Sequence, residues 1–123
     1  MSARVSPPAG PSVQAYLVTL QQREAMTLSF AAALGGIDAL LTSTTMRAAL
    51  PLDEVDQMSA SAHYTRFGNF LDLCALSLPN GFARDGLPIS VQIVCRSYKE
   101  ATALRIGRAY EDATDWHLRR PPE

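Results

Sequence analysis

Lysine is nearly absent from this chain: Lys99 is the only one in 123 residues. Cysteine and histidine are almost as scarce, with Cys74, Cys95, His63 and His117 making up both complements. These four show no zinc-ligand spacing, so no metal site and no cofactor is expected. Charge of one sign is lacking too: 11 Lys+Arg stand against 12 Asp+Glu, a net charge of -1. No basic field exists to gather phosphate backbones or anionic lipid, so neither nucleic acid nor membrane is an expected partner. No apolar run approaches the roughly 20 residues that span a bilayer. The start, Met1-Ser2-Ala3-Arg4 leading into Pro7, Pro8 and Pro11, has no apolar stretch of the kind a secretory signal needs. A cytoplasmic location is the expectation. Both cysteines lie in apolar sequence and read as buried reduced thiols rather than a disulfide.

What is present is globular composition, with 47% hydrophobic and 19% charged residues. Residues 1–11 are rich in Ser, Pro and Gly and read as a frayed lead-in, with the folded segment over 12–123. Ser12 is placed to cap a helix that runs without Pro or Gly from Val13 to Leu34 and stops at Gly35-Gly36. Ile37–Thr42 reads as a buried strand, and the mixed stretch 43–60 as loop. Tyr64, Phe67, Phe70 and Leu71 have helical spacing, which predicts a helix within 61–73. Ala75–Leu78 reads as a strand ended by Pro79, Asn80-Gly81 and Asp85-Gly86 as turns, and Ile89–Val94 as the returning strand of a hairpin. Ser97 and Glu100 have the spacing of a capping box. A helix follows from Tyr98 to about Ala113, with Ala103, Ile106, Tyr110 and Ala113 on one face. The order helix, strand, helix, hairpin, helix gives an α/β class with sheet strands flanked by helices.

Four stretches in this order resemble the C-terminal part of the amidase signature family. Ile37-Asp38-Ala39-Leu40-Leu41-Thr42-Ser43-Thr44-Thr45 resembles the family's D-x-L-L-T-P-T-T. Tyr64-Thr65 through Asn69 resembles Y-T-x-x-x-N. Pro79-Asn80-Gly81-Phe82, Asp85-Gly86-Leu87-Pro88 and Gln92-Ile93-Val94 resemble P-x-G-F, D-G-L-P and Q-x-V. Glu100-Ala101-Thr102 through Ala109-Tyr110-Glu111, with Trp116-His117 and Arg120-Pro121, resembles the family's last helix and tail. The likeness runs from about Val13 to the end. Two departures stand out. Ser43 replaces a usual proline, leaving the loop after the strand less rigid. Asn69-Phe70-Leu71-Asp72-Leu73-Cys74-Ala75 replaces N-x-x-G-x-P and is closer to the allophanate-hydrolase and carboxybiuret-hydrolase branch than to the tRNA amidotransferase A subunits. Ala60-Ser61-Ala62-His63 agrees, because it lacks the carboxylate those proteins carry there.

The resemblance implies the C-terminal portion of the amidase fold and hydrolysis of a small amide by a Ser–cis-Ser–Lys triad in the complete enzyme. The triad itself matches no position here. Its lysine must be neutral to relay protons and so needs burial, whereas Lys99 sits beside Glu100 in a first helical turn, and no Ser-Ser pair or Gly-Gly-Ser segment occurs. The expected catalytic set in this chain is therefore empty. The expected substrate-binding residues are His63, Tyr64, Thr65 and Asn69, which correspond to one wall of the family's cleft. Against this stands the plainer reading that Tyr64 and Thr65 start a helix, that His63 lies on the surface and that Asn69 holds a neighbouring loop. The expected partner is an N-terminal, triad-bearing amidase segment or a second copy of this chain. A non-catalytic, self-associating or partner-binding module derived from an amidase is the alternative. Asp53, Glu54 and Asp56 lack the glycine and terminal glutamate of a calcium loop and read as a solvated acidic loop. Asp115 and His117 have neither a nucleophile nor an oxyanion hole beside them.

Overall fold

A computed structural model describes residues 10–56 and 62–120. Most of the lead-in, part of the 43–60 loop and Pro121-Pro122 lie outside the described residues. Helix α1 spans Val13–Ala33, and Ser12 caps it by accepting the Ala15 amide at 3.2 Å. Its chain direction reverses at Gly36, whose φ of 82° a side chain would resist. None of its residues is buried, and Val13, Tyr16, Leu17, Met26 and Leu28 are all exposed. Contacts at the helix and its C-cap tether it to the rest. The Phe30 ring lies 6.0 Å from that of Phe67, Arg23 Nε donates to the Phe70 carbonyl at 2.5 Å, and the Arg96 guanidinium donates to the Leu34 carbonyl.

Strands β1 (Leu40–Ser43), β2 (Cys74–Phe82) and β3 (Pro88–Cys95) form one antiparallel sheet in the order β1-β3-β2. The first strand starts later than the apolar run suggests. The Ile37 amide still donates to the Leu34 carbonyl, so residues 37–39 complete the turn after α1 before the chain reaches β3. The second strand is longer than its sequence suggests. It passes through Pro79 because β2 is an edge strand, where one missing N–H leaves the ladder intact on the paired side. Asn80-Gly81 is a bulge inside β2 and not a turn: the register shifts between Pro79 and Phe82, with Gly81 at φ 119°. The hairpin turn is Asp85-Gly86, where Asp85 Oδ1 accepts the Leu87 amide at 3.2 Å.

Helix α2 is a single short piece, Arg66–Phe70, inside the 61–73 stretch where the spacing predicts a helix. It ends because Asp72 turns left-handed at φ 53° while Arg23 holds both the Phe70 carbonyl and the Asp72 carboxylate. Helix α3 spans Glu100–Asp112, one turn's fraction later than expected, and no capping box forms. Ser97 instead donates to the Asp72 carbonyl, and Tyr98 at φ 60° turns the chain into the helix behind Lys99.

Side chains alternate across the strands. Leu76, Leu78, Val91, Ile93 and Cys95 project to the α3 side and pack on Ala103, Ile106 and Tyr110. Gly107 lets α3 approach closely, since a Cβ there would sit 2.5 Å from Leu76 Cδ2. A 3-10 turn, Trp116–Leu118, closes the chain over the hairpin, with the Trp116 and Phe82 rings 6.2 Å apart and edge-on.

Candidate functional site

The other sheet face carries Ala75, Gln92 and Val94, and there the Tyr64–Asn69 segment folds over it. The segment is shaped locally. The Ala62 carbonyl accepts the amides of Thr65 at 3.2 Å and Arg66 at 3.0 Å, and the Gly68 carbonyl accepts the Leu73 amide at 2.9 Å. Between this segment and the sheet lies a cavity of about 210 Å³. Tyr64, Thr65, Phe67, Gly68 and Asn69 form one wall, and Leu73, Ala75, Gln92 and Val94 form the other.

Three of the four residues singled out from the sequence thus meet at one cavity. His63 does not line it. That ring is exposed and stands edge-on to Tyr64 with centroids 5.1 Å apart. Asn69 lines the wall, with no side-chain hydrogen bond among the described residues.

Sequence reasoning placed Gln92 in the Q-x-V stretch but gave it no role at the site. Its alternation with Ile93 and Val91 marks it as a solvent-facing strand position, yet only 3% of it is exposed. Its Nε2 donates to Thr42 Oγ1 at 2.8 Å and to the Tyr64 carbonyl at 2.6 Å. One amide group therefore joins β1, β3 and the cavity segment. The available signal was a lone amide inside an apolar strand, flanked by Ile and Val, where its length and two donors suit bridging.

Among the described residues no charged side chain lines the cavity. It is lined by the side chains of Tyr64, Thr65 and Asn69 and by Gln92, whose Nε2 is already committed to Thr42 and Tyr64, with Phe67, Leu73, Ala75 and Val94 between them. Such a lining suits a neutral polar group and can bind and orient it. Lys99 is exposed at the start of α3 and belongs to neither wall. Among the described residues no group of His, Cys, Asp and Glu could hold a metal ion, and no helix is long and apolar enough to cross a membrane.

Comparison with known proteins agrees with this architecture. The amidase family model matches residues 5–104. The A subunit of glutamyl-tRNA(Gln) amidotransferase from Synechococcus sp. is 41% identical over 110 residues, covering 87% of this chain and 21% of that protein. Its counterpart from Pseudomonas putida is 37% identical over 112 residues, covering 87% of this chain and 23% of that protein. Among solved structures, the glutamyl-tRNA(Gln) amidotransferase A subunit from Thermotoga maritima superposes with a TM-score of 0.62 at 28% identity, over 68% of this chain and 19% of that one. The allophanate hydrolase of Kluyveromyces lactis superposes with a TM-score of 0.63 at 27% identity, over 71% of this chain and 15% of that one. The chain belongs to the amidase family. It spans about a fifth of the length of the curated relatives it matches. Both branches named from the Leu71–Ala75 pattern are represented among these similar proteins.

Proposed function

We propose that this chain supplies part of the sheet and one wall of the substrate cleft of an amidase that hydrolyses the C–N bond of a small amide. The observation that carries this reading is the uncharged cavity between Tyr64–Asn69 and the Gln92 face of the sheet. A carboxamide is neutral, donates and accepts, and is matched by hydroxyl and amide partners without an ion pair to desolvate. The nucleophilic serine, the bridging serine and the neutral lysine come, in this reading, from amidase sequence outside these 123 residues. The exposed position of Lys99 supports that assignment, because the family's triad lysine needs a buried site. His63 extends the same wall at its rim, and the assembly works in the cytoplasm without a cofactor. Co-expression with the triad-bearing segment of an amidotransferase A subunit tests it: amide hydrolysis appears only when both pieces are present. Turnover by this chain alone, or two pieces that never associate, would overturn the reading.

A second reading, a self-associating module without chemistry, is favoured by the outer edges of β1 and β2, which pair with no further strand among the described residues, and by the exposed apolar surface of α1. Unpaired edges template strand pairing, and uncovered apolar area favours association by about 25 cal/mol per Å². Sedimentation of the isolated chain distinguishes the two, since a concentrated solution that remains monomeric removes this alternative.

A further inference from the structure

The register of β2 and β3 sets Cys74 directly opposite Cys95. The Thr44 amide donates to the Ser90 carbonyl at 3.2 Å, which fixes the alternation along β3. The backbone groups of Ser90, Gln92 and Val94 point at β1, and those of Val91, Ile93 and Cys95 point at β2. Cys74 and Cys95 are therefore a hydrogen-bonded cross-strand pair, with Cα atoms about 5.5 Å apart. That spacing falls at the ~5.5–6 Å most common for disulfides. Both thiols are free, and both side chains pack on the α3 side of the sheet.

Access divides them. Cys95 is fully buried. Cys74 is half-buried, donates weakly to the Arg96 carbonyl at 3.3 Å, and lines an open pocket of about 420 Å³ together with Asp72, Ser97, Tyr98 and Glu100. A small molecule entering that pocket reaches one sulfur and not the other.

We propose that Cys74 and Cys95 form a thiol–disulfide modification site, closed by a low-molecular-weight disulfide such as oxidised glutathione that enters beside Cys74. The Cys74 thiolate attacks one sulfur of oxidised glutathione. That S–S bond breaks, one glutathione thiolate leaves, and Cys74 carries the other half as a mixed disulfide. Cys95 then gives up its proton and attacks the Cys74 sulfur, expelling the second glutathione thiolate. Two protein thiols are oxidised to one disulfide, oxidised glutathione is reduced to two thiols, and the two protons pass through water to them. Burial beside Cys74 pushes the Cys95 thiol up from its ordinary range, which leaves the first attack to Cys74. The bond would fasten the start of β2 to the end of β3. Leu73 and Ala75, on either side of Cys74, and Val94, next to Cys95, line the candidate cavity, so the redox state acts on its wall. This inference stands independently of the amidase reading.

The test is to incubate the folded chain with oxidised glutathione, quench in acid, alkylate the remaining thiols and measure intact and peptide masses. The expected product lacks two hydrogens, carries no adduct and yields one peptide pair joined through Cys74 and Cys95. In Cys95→Ala the glutathione adduct persists on Cys74. In Cys74→Ala adduct formation on Cys95 is slower by at least about tenfold, as burial of a thiol dictates. Free thiols throughout, a stable adduct on wild type, disulfides between chains, or equal labelling of both cysteines would each overturn the proposal. The wild-type masses decide the matter even if a variant fails to fold.

Discussion

Replacing Gln92 is the sharpest probe of how the candidate cavity is held. Its Nε2 makes two hydrogen bonds, to Thr42 Oγ1 at 2.8 Å and to the Tyr64 carbonyl at 2.6 Å, from a side chain only 3% exposed. Gln92→Met keeps the length and removes both donors. Each lost bond costs about 1 kcal/mol, and a carbonyl left without its partner adds roughly 1–3 kcal/mol of desolvation. The expected total is about 3–5 kcal/mol. With a urea slope of about 2 kcal/mol/M, mid-range for a small protein, the midpoint falls by roughly 1.5–2.5 M. Gln92→Glu gives the same geometry with a different sign of pH dependence. An ionised carboxylate would face the Tyr64 carbonyl, so the folded state favours the protonated acid and raises its pKa above the unfolded value of about 4.3. A group with a raised folded pKa leaves the protein more stable below its unfolded pKa and less stable as pH rises through the folded one. The Glu variant therefore recovers in acid relative to wild type, and the Met variant does not. Urea titrations of the three proteins across pH measure this. Losses below about 0.5 kcal/mol in both variants would refute the bridge, because surface substitutions produce changes of that size.

The two glycines that matter separate steric from backbone strain. Gly107→Ala presses a methyl toward Leu76 Cδ2 at 2.5 Å, an overpacking of about 1–3 kcal/mol partly offset by the ~1 kcal/mol helix preference of alanine, and Gly107→Val costs more. Gly86→Val meets nothing within 4 Å but must hold φ near 80°, so thermal melts register a loss of about 1–2 kcal/mol from backbone conformation alone. Burial holds Cys95 as a thiol above its ordinary 9.0, so its contribution to stability is present below that pH and is lost as pH rises beyond it. Denaturant titrations should show a flatter alkaline limb in Cys95→Ala. In an active complex with a triad-bearing segment, His63→Ala changes KM more than kcat, because the exposed ring borders the wall and holds no reacting proton; a fall confined to kcat would contradict this.

Local chemistry made much of the fold legible. Ser12 and the glycines around Gly36 bound α1 as their residue types require, and Asp85-Gly86 forms the hairpin turn. The failures share a cause: a tertiary contact overrode a local signal. Pro79 reads as a strand end, but an edge strand has no second ladder for it to break. Ser97 reads as a cap, but its hydroxyl is drawn to the Asp72 carbonyl. The aromatic spacing around Tyr64 places a helix within 61–73 but not its bounds, and Arg23, distant in sequence, holds its end at Phe70. The candidate site was legible as a segment and not as a cavity. Tyr64, Thr65 and Asn69 could be picked out together, whereas Gln92 needed the fold, because alternation along one strand does not tell which face another segment will cover.

The two faces of the sheet differ in what they require from the rest of an amidase. On the α3 side the chain closes its own core: Leu78, Ile93, Cys95 and Ala103 are buried by residues of this chain alone. On the cavity side closure is partial. Gln92 and Val94 are covered, but the Tyr64 ring is left partly open, Asn69 has no partner side chain among the described residues, and α1 buries none of its apolar residues. On the proposed reading, a face that uses buried hydrogen bonds to hold the cavity, yet leaves the adjoining helix uncovered, is the one a triad-bearing segment would complete. The sheet is thus a self-supporting platform on one side and an open wall on the other. Cys74 and Cys95 lie where β2 begins and β3 ends, so a bond between them would stiffen the platform beneath that wall without touching the cavity's hydroxyls or amides.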